Sequence, residues 1–128
     1  MQSETLKATE AYSAAKSTHP RVSLSDMESK IAAEHYFVAA DAIVALGQPL
    51  PGEPIKDGEE TVGIRSPLDL LTICILVMRN GFTVIGKSAP ASPENFDPEK
   101  GKRFAYEDAI KQLWPLEGYA LRERLAAA

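Results

Sequence analysis

Two apolar runs rich in β-branched residues flank an Asn-Gly pair in the stretch LTICILVMRNGFTVIG, residues 71–86. Asn80 and Gly81 both tolerate positive φ, so they suit a two-residue type I′ turn. The pattern predicts a β-hairpin over about residues 71–88 with a defined register. The predicted pairs are Arg79–Phe82, Met78–Thr83, Val77–Val84, Leu76–Ile85 and Ile75–Gly86.

Both faces of this predicted hairpin are apolar. One face carries Ile75, Val77, Phe82 and Val84, and the other carries Cys74, Leu76, Met78 and Ile85. Such a pattern is typical of strands that are covered on both sides, and an isolated hairpin is only marginally stable. Helices can cover one face, whereas the other needs a loop, an N-terminal segment or a second subunit. We therefore expect a homo-oligomer.

Apolar residues at spacings of three and four predict a helix over residues 26–46. Ser25 followed by Glu28 matches a capping box, with Ser25 as the N-cap. Gly47 is well placed to end the helix in a left-handed conformation. The apolar stripe consists of Met27, Ile31, His35, Val38, Ala42 and Ala45.

The C-terminal part predicts two more helices, over residues 98–114 and 116–125. Asp97 is the expected N-cap of the first, because Pro98 suits the first helical position. Pro115 is expected to break the helix. The apolar side of the first helix carries Ala105, Ala109, Ile110 and Leu113.

The remaining segments are polar. Residues 1–20 predict a flexible or weakly helical N-terminal arm, in which Leu6, Ala8, Ala11 and Tyr12 form a thin apolar side. Residues 48–66 contain three prolines and three glycines and predict a long loop, functional or mobile, that ends at a short helical turn capped by Ser66. The expected fold is one α+β domain over residues 21–128, with a central antiparallel hairpin packed by the three helices.

Composition narrows the classes of function. The 128 residues carry a formal charge of −4 without a dense basic run, which argues against binding to duplex nucleic acid. The single cysteine excludes an internal disulfide. The start of the chain lacks a signal-peptide core, and the longest apolar run, Ile73–Met78, is too short to span a bilayer. We expect the protein in the cytoplasm of its cell, without membrane contact.

Motifs for catalysis or cofactor binding are absent from the sequence. His19 and His35 are the only histidines, and no metal-binding spacing such as HExxH or CxxC is present. Cys74 has no evident partner base, and no GxSxG motif occurs. Gly86-Lys87-Ser88 resembles only the end of a P-loop. The sequence therefore favours a protein that is not an enzyme and carries neither a metal nor another cofactor.

Two regions are candidates for ligand binding. Helix starts at Ser92 and Asp97, beside several basic residues, suggest an anion pocket, although the pattern favours the alternative that these two residues simply cap short helices. An aromatic pair near the helix break suggests stacking on a planar ligand, or alternatively a packed corner. The candidate ligand-binding residues are Lys87, Ser88, Ser92, Asn95, Lys102, Arg103, Trp114, Tyr119 and Arg122.

Several unlike motifs occur in order along the chain. They are EHYF at 34–37 followed by AAD at 39–41, the strand–NGF–strand hairpin, SPENFD at 92–97 and WPLEGYALRERL at 114–125. Over about residues 20–126 the chain resembles a family of small tailed-phage proteins typed by phage gene forty-nine and gene sixty-six products. Lys87 departs from the pattern, because an acidic or amide residue is expected there. The resemblance implies a phage or prophage origin and action inside a bacterial host cell.

The resemblance leaves several functions open. By analogy with other small phage proteins, the chain is expected to antagonise host defence by sequestering a small anionic signal such as a cyclic nucleotide. The alternative is a protein-interaction module that binds and inhibits a host protein through its proline-rich loop or its apolar hairpin face. A third alternative is an enzyme that uses dispersed acidic residues.

Overall fold

The computed structural model describes residues 3–16, 20–50 and 66–128. Its centre is a three-stranded antiparallel sheet in the order β1-β2-β3, formed by Ile31–Val38, Thr72–Met78 and Thr83–Ser88. Helix α4, Pro98–Ala127, packs against β2 and β3. The other helices are α1 (Glu4–Lys16), α2 (Leu24–Ser29) and α3 (Ala39–Ala45), with 3-10 turns at Pro67–Leu70 and Pro93–Asn95. The predicted α+β class and the antiparallel hairpin are confirmed.

The predicted helix over residues 26–46 is wrong. Its centre is strand β1, which pairs with β2 from Ile31–Met78 to Val38–Thr72. The segment combines helical spacing with β-branched and aromatic residues, and local preference is weak for such a mixture. Pairing satisfies the backbone groups along the second edge of β2, which a helix would leave unpaired.

The start of this region also differs from expectation, whereas its end is as predicted. The N-cap of α2 is Ser23, whose hydroxyl accepts a hydrogen bond from the backbone N–H of Asp26. Ser25 therefore does not cap a helix. Gly47 has a φ of 71° and ends α3 as predicted. The N–H of Gly47 donates to the carbonyl of Val44 and that of Gln48 to Ile43, which is the Schellman pattern.

The hairpin forms where predicted, but its register differs by one residue. Gly81, with a φ of 89°, follows a tight turn closed by a 2.9 Å bond from its N–H to the Met78 carbonyl, and Asn80 keeps a negative φ. The loop therefore has three residues, in a type I turn followed by a left-handed glycine. Observed pairs are Val77–Thr83, Leu76–Val84 and Ile75–Ile85.

This shift exchanges the faces of β3, because side chains alternate along a strand. Val84 joins the inner face beneath α4, whereas Ile85 joins Ile75 on the outer face. Gly86 then lies directly beneath α4, where the absence of a side chain permits close packing. The buried core consists of Leu24, Met27, Cys74, Leu76, Met78, Val84, Ala105, Tyr106, Ala109, Ile110 and Leu113.

Helix α4 continues through Pro115, so the predicted break and the separate helix over residues 116–125 are wrong. A proline inside a helix removes the bond to the carbonyl four residues earlier, here that of Lys111. Both residues are exposed, so water can hydrate that carbonyl. The strong packing of the first half of α4 carries the helix past this local defect.

The caps predicted at Ser66 and Asp97 are confirmed. The Ser66 hydroxyl accepts from the N–H of Leu68, and the Asp69 carboxylate accepts from the N–H of Ser66 at 2.9 Å. The Asp97 carboxylate caps α4. Most of the predicted loop, residues 51–65, and His19 lie outside the described residues.

The N-terminal segment is attached to the body of the fold. Ser3 is buried, and its hydroxyl donates a hydrogen bond to the carboxylate of Glu107 on α4. The guanidinium of Arg21 donates two hydrogen bonds, of 2.8 and 3.1 Å, to the carboxylate of Glu10 on α1. Leu6 packs against the core.

Candidate functional site

A cavity of about 730 Å³ lies where β3 ends and α4 begins. Ser88 closes β3, the 3-10 turn Pro93–Asn95 follows, and the first two turns of α4 complete the wall. The polar side chains that line the cavity are Ser88, Glu94, Asn95, Asp97, Lys100 and Arg103, and its aromatic rings are Phe96 and Phe104.

The spacing along α4 explains how its side chains meet in this cavity. Lys100, Arg103 and Phe104 stand at i, i+3 and i+4, so they share one side of the helix. The Arg103 guanidinium lies 5.3 Å from the centre of the Phe104 ring. Phe104 is about half exposed. An aromatic surface and two cationic groups therefore open together to solvent.

The cavity wall carries two acidic and two basic side chains, which differ in the hydrogen bonds and ion pairs that they already form. The Asp97 carboxylate accepts hydrogen bonds from the N–H groups of Glu99 and Lys100, at 2.9 and 3.3 Å. Its negative charge is thereby directed at the positive end of α4. Among the described residues, neither Lys100 nor Arg103 forms an ion pair. The cations remain available to a bound group, while the helix amides do not.

Three of the nine predicted binding residues meet in this cavity, namely Ser88, Asn95 and Arg103. Lys87 instead lies on the exposed outer face of β3, and its backbone N–H donates to the Asp108 carboxylate at 2.9 Å. The Lys102 ammonium lies 3.8 Å from the Glu99 carboxylate, outside the cavity wall. Ser92 precedes the 3-10 turn without a capping bond from its side chain.

The other three predicted residues lie further along α4 and do not join this site. Trp114 is half-buried against the core, whereas Tyr119 is 70% exposed. Five residues on a helix correspond to a rotation of about 140°, so the two rings do not share one face. Arg122 is exposed. Sixteen residues separate Arg103 from Tyr119, which is about 24 Å along the helix.

The sequence interpretation missed Lys100, Phe96 and Phe104. The i, i+4 spacing of Lys100 and Phe104 in the first turns of a capped helix is the signal that identifies them. Phe96 sits inside the SPENFD segment, immediately before the cap. Its place in the cavity wall depends on the path of the chain between β3 and α4.

A second cavity, of about 440 Å³, lies at the hairpin turn. Its wall combines apolar side chains, among them Phe82 and Leu116, with Arg79 and an ion pair. In that pair the Lys30 ammonium lies 2.7 Å from the Glu117 carboxylate, which compensates both charges. Counting only the part of the chain that the structure describes, this cavity offers one cation without an ion pair, against two in the first.

Two tyrosines and the cysteine form a polar cluster on the inner face. The Tyr106 hydroxyl donates to the Glu28 carboxylate, and the Tyr36 hydroxyl donates to Glu34 at 2.7 Å. Burial, reinforced by these carboxylates, raises the pKa of both tyrosines. Burial also raises the pKa of the Cys74 thiol, which is fully shielded from solvent. The two hydroxyls and the thiol therefore stay protonated at neutral pH.

Within residues 3–16, 20–50 and 66–128, no group of three or more His, Cys, Asp or Glu side chains is placed to hold a metal ion. In the same part of the chain, no helix has the length and apolarity needed to cross a membrane.

Comparison with known proteins gives one family match. The profile of the phage protein (N4 Gp49/phage Sf6 gene 66) family matches residues 22–125. No curated protein and no solved structure matches the chain significantly. The matched region contains the hairpin, the first cavity and nearly all of α4. The predicted relationship is confirmed, and the chain belongs to the N4 Gp49/phage Sf6 gene 66 family of phage proteins.

Proposed function

We propose that this phage protein is a non-enzymatic accessory factor that binds a small anionic ligand of the nucleotide type. By holding a host signal of this class, it would antagonise host defence without altering the signal chemically. The observation that supports the proposal is the cavity at the start of α4, which brings Lys100 and Arg103 beside an exposed aromatic ring.

Each chemical part of a nucleotide has a counterpart in the wall. A phosphate suits the Arg103 guanidinium, whose planar fork can donate two hydrogen bonds, and the Lys100 ammonium. A base can stack on the face of the Phe104 ring opposite the Arg103 guanidinium. Asn95 offers an amide with both a donor and an acceptor for the edge of the base. The volume is within the range of about 300–1,000 Å³ that is usual for small-molecule sites.

The acidic residues in the wall are compatible with this ligand class. Asp97 is occupied by its capping bonds. Glu94 is exposed at the rim and can accept hydrogen bonds from ribose hydroxyls, a role that acidic residues fill in dinucleotide sites. Binding without turnover is supported by Cys74, whose burial and raised pKa leave it unsuited to act as a nucleophile.

The test is calorimetric titration of the purified chain with a panel of cyclic and linear nucleotides, preceded by a thermal-shift screen. We expect at least one nucleotide to bind, and Arg103→Ala to weaken that binding by about tenfold or more, as for a lost charge-assisted contact. Lys102→Ala is the matched control, because Lys102 is a neighbouring cation outside the cavity wall.

The ligand should be recovered chemically unchanged after prolonged incubation with the protein. Conversion of the ligand would contradict the non-enzymatic part of the proposal. A flat thermal-shift and calorimetric response across the panel would overturn the proposal as a whole. Equal effects of the Arg103 and Lys102 substitutions would show that binding occurs elsewhere.

A further inference from the structure

We propose that the outer face of the sheet, defined by Phe37, Ile73, Ile75, Val77 and Ile85, is a contact surface for a second copy of this chain. It lies opposite the face that packs against α4. This inference does not depend on the proposed ligand, because the cavity at the start of α4 is built from other residues.

The two faces of the central strand differ sharply in burial. The inner residues Cys74 and Leu76 are fully buried beneath α4, whereas the outer residues of the same strand alternate with them at intermediate exposure. A central strand is shielded by its neighbours on either side, so this residual exposure means that the outer face is open. At its margins Ile85 is 58% exposed and Phe37 is 38% exposed.

Strand pairing makes these side chains contiguous. Phe37 on β1 pairs with Ile73, and Ile75 pairs with Ile85 on β3. Branched and aromatic residues on neighbouring strands stand side by side on one face of a sheet. The result is a mainly apolar surface that reaches all three strands, with polar side chains at its margins.

The near absence of charge on this surface favours a second copy of the chain as its partner. Lys87, at one corner of the paired region, is its only formally charged outward side chain among the described residues, while the polar positions His35 and Thr83 flank the apolar centre. A charged partner would therefore find no complementary charges in the centre. A second copy presents a surface of the same width and polarity, and two such sheets can stack about 10 Å apart across a two-fold axis.

The size of the surface sets the expected strength of the contact. Three strands about 4.8 Å apart, each with three outward residues about 6.8 Å apart, give a projected area of about 300 Å² for the whole outer face. The five apolar residues that define the surface occupy a little more than half of it. A stable interface buries about 800 Å² on each partner. The outer face alone therefore predicts a reversible dimer whose population depends on concentration.

Sedimentation velocity of the full chain at about 5 and 200 µM tests this prediction. The 13.9 kDa chain should change from mainly monomer to a substantial fraction of dimer across that range. Ile85→Lys places a charge at the exposed centre of β3 and should raise the dimer dissociation constant by about tenfold or more, because an unpaired ammonium would be buried. Circular dichroism should show an unchanged fold, since Ile85 lies outside the core.

Leu125→Lys is the matched control, because Leu125 is a comparably exposed apolar residue on α4. It should dimerise as the unmodified chain does. A chain that stays monomeric at 200 µM overturns the proposal, even if its outer face captures a host protein. Loss of the dimer in the Leu125 variant, with retention in the Ile85 variant, equally overturns it and assigns the contact to α4.

Discussion

Gly86 on β3 and Ala109 on α4 approach so closely that a β-carbon built on Gly86 would lie 2.6 Å from the Ala109 nitrogen and 2.9 Å from its β-carbon. The same β-carbon would lie 2.0 Å from the carbonyl oxygen of Ala105. These are mainly backbone atoms, so a rotamer change cannot relieve the overlap. The contact sets the distance between α4 and the sheet.

Gly86→Ala should therefore destabilise the protein strongly. Relief of the overlap requires α4 to move away from the sheet, and overpacking of this kind costs about 1–3 kcal/mol or more. Urea unfolding followed by circular dichroism measures the change. A variant that unfolds at the same urea concentration as the unmodified chain would contradict the packing described.

Gly118→Ala should have the opposite effect. Gly118 lies within α4, and a β-carbon there would meet no atom within 4 Å. Alanine should thus stabilise the helix by about 0.5–1 kcal/mol through its higher helix propensity. The same urea measurement serves as a check. Destabilisation would indicate that Gly118 contacts a partner in solution.

Tyr106→Phe removes the hydroxyl that donates to Glu28 from a fully buried ring. A hydrogen bond to a charged group contributes about 1.5–3 kcal/mol, and this is the expected loss in unfolding free energy at pH 7. Tyr36→Phe is a useful comparison, because its partner Glu34 is exposed. We expect Tyr36→Phe to lower the unfolding free energy less than Tyr106→Phe does.

The stability difference between the unmodified chain and Tyr106→Phe should depend on alkaline pH. Burial and the bond to Glu28 raise the pKa of Tyr106 in the folded chain above its unfolded value of about 10. Its contribution is therefore complete below pH 10 and is lost as the pH rises. The stability difference between the unmodified chain and Tyr106→Phe should shrink between pH 9 and pH 11. A constant difference over that range would contradict this assignment.

Arg21→Gln should weaken the attachment of α1 at neutral pH and have little effect at low pH. The hydrogen bonds from Arg21 lower the pKa of the Glu10 carboxyl below its usual value. The contribution of the pair is thus present above about pH 4.5 and is lost as the pH falls through the lowered pKa. Urea unfolding should show a small loss of stability at pH 7 and almost none at pH 3.

Lys102→Gln provides the control for this effect. Its 3.8 Å pair with Glu99 joins two exposed side chains on one helix, so its removal should change stability very little at either pH. An Arg21 variant that loses as much stability at pH 3 as at pH 7 would show that the charge of Glu10 is not responsible.

The candidate site illustrates what spacing alone can reveal. Asn95 and Arg103 are eight residues apart, and their meeting in one cavity follows from a cap at Asp97 that turns the chain into α4. Lys87 and Ser88 are adjacent, yet strand alternation sends them to opposite faces. Sequence proximity therefore grouped residues of one segment without distinguishing those that share a cavity.

Local chemistry in the sequence determined the Asn-Gly hairpin, the caps at Ser66 and Asp97 and the glycine that ends α3, because each depends on a few neighbouring residues. Tertiary structure decided three other features. It drew residues 31–38 into a strand because β2 had an edge to pair, and it carried α4 through Pro115 because the core holds its first half. It also set the hairpin register, since only that alignment places Val84 in the core and Gly86 beneath Ala109. Burial and backbone pairing act across the whole domain, and they outweigh local preferences of about 1 kcal/mol.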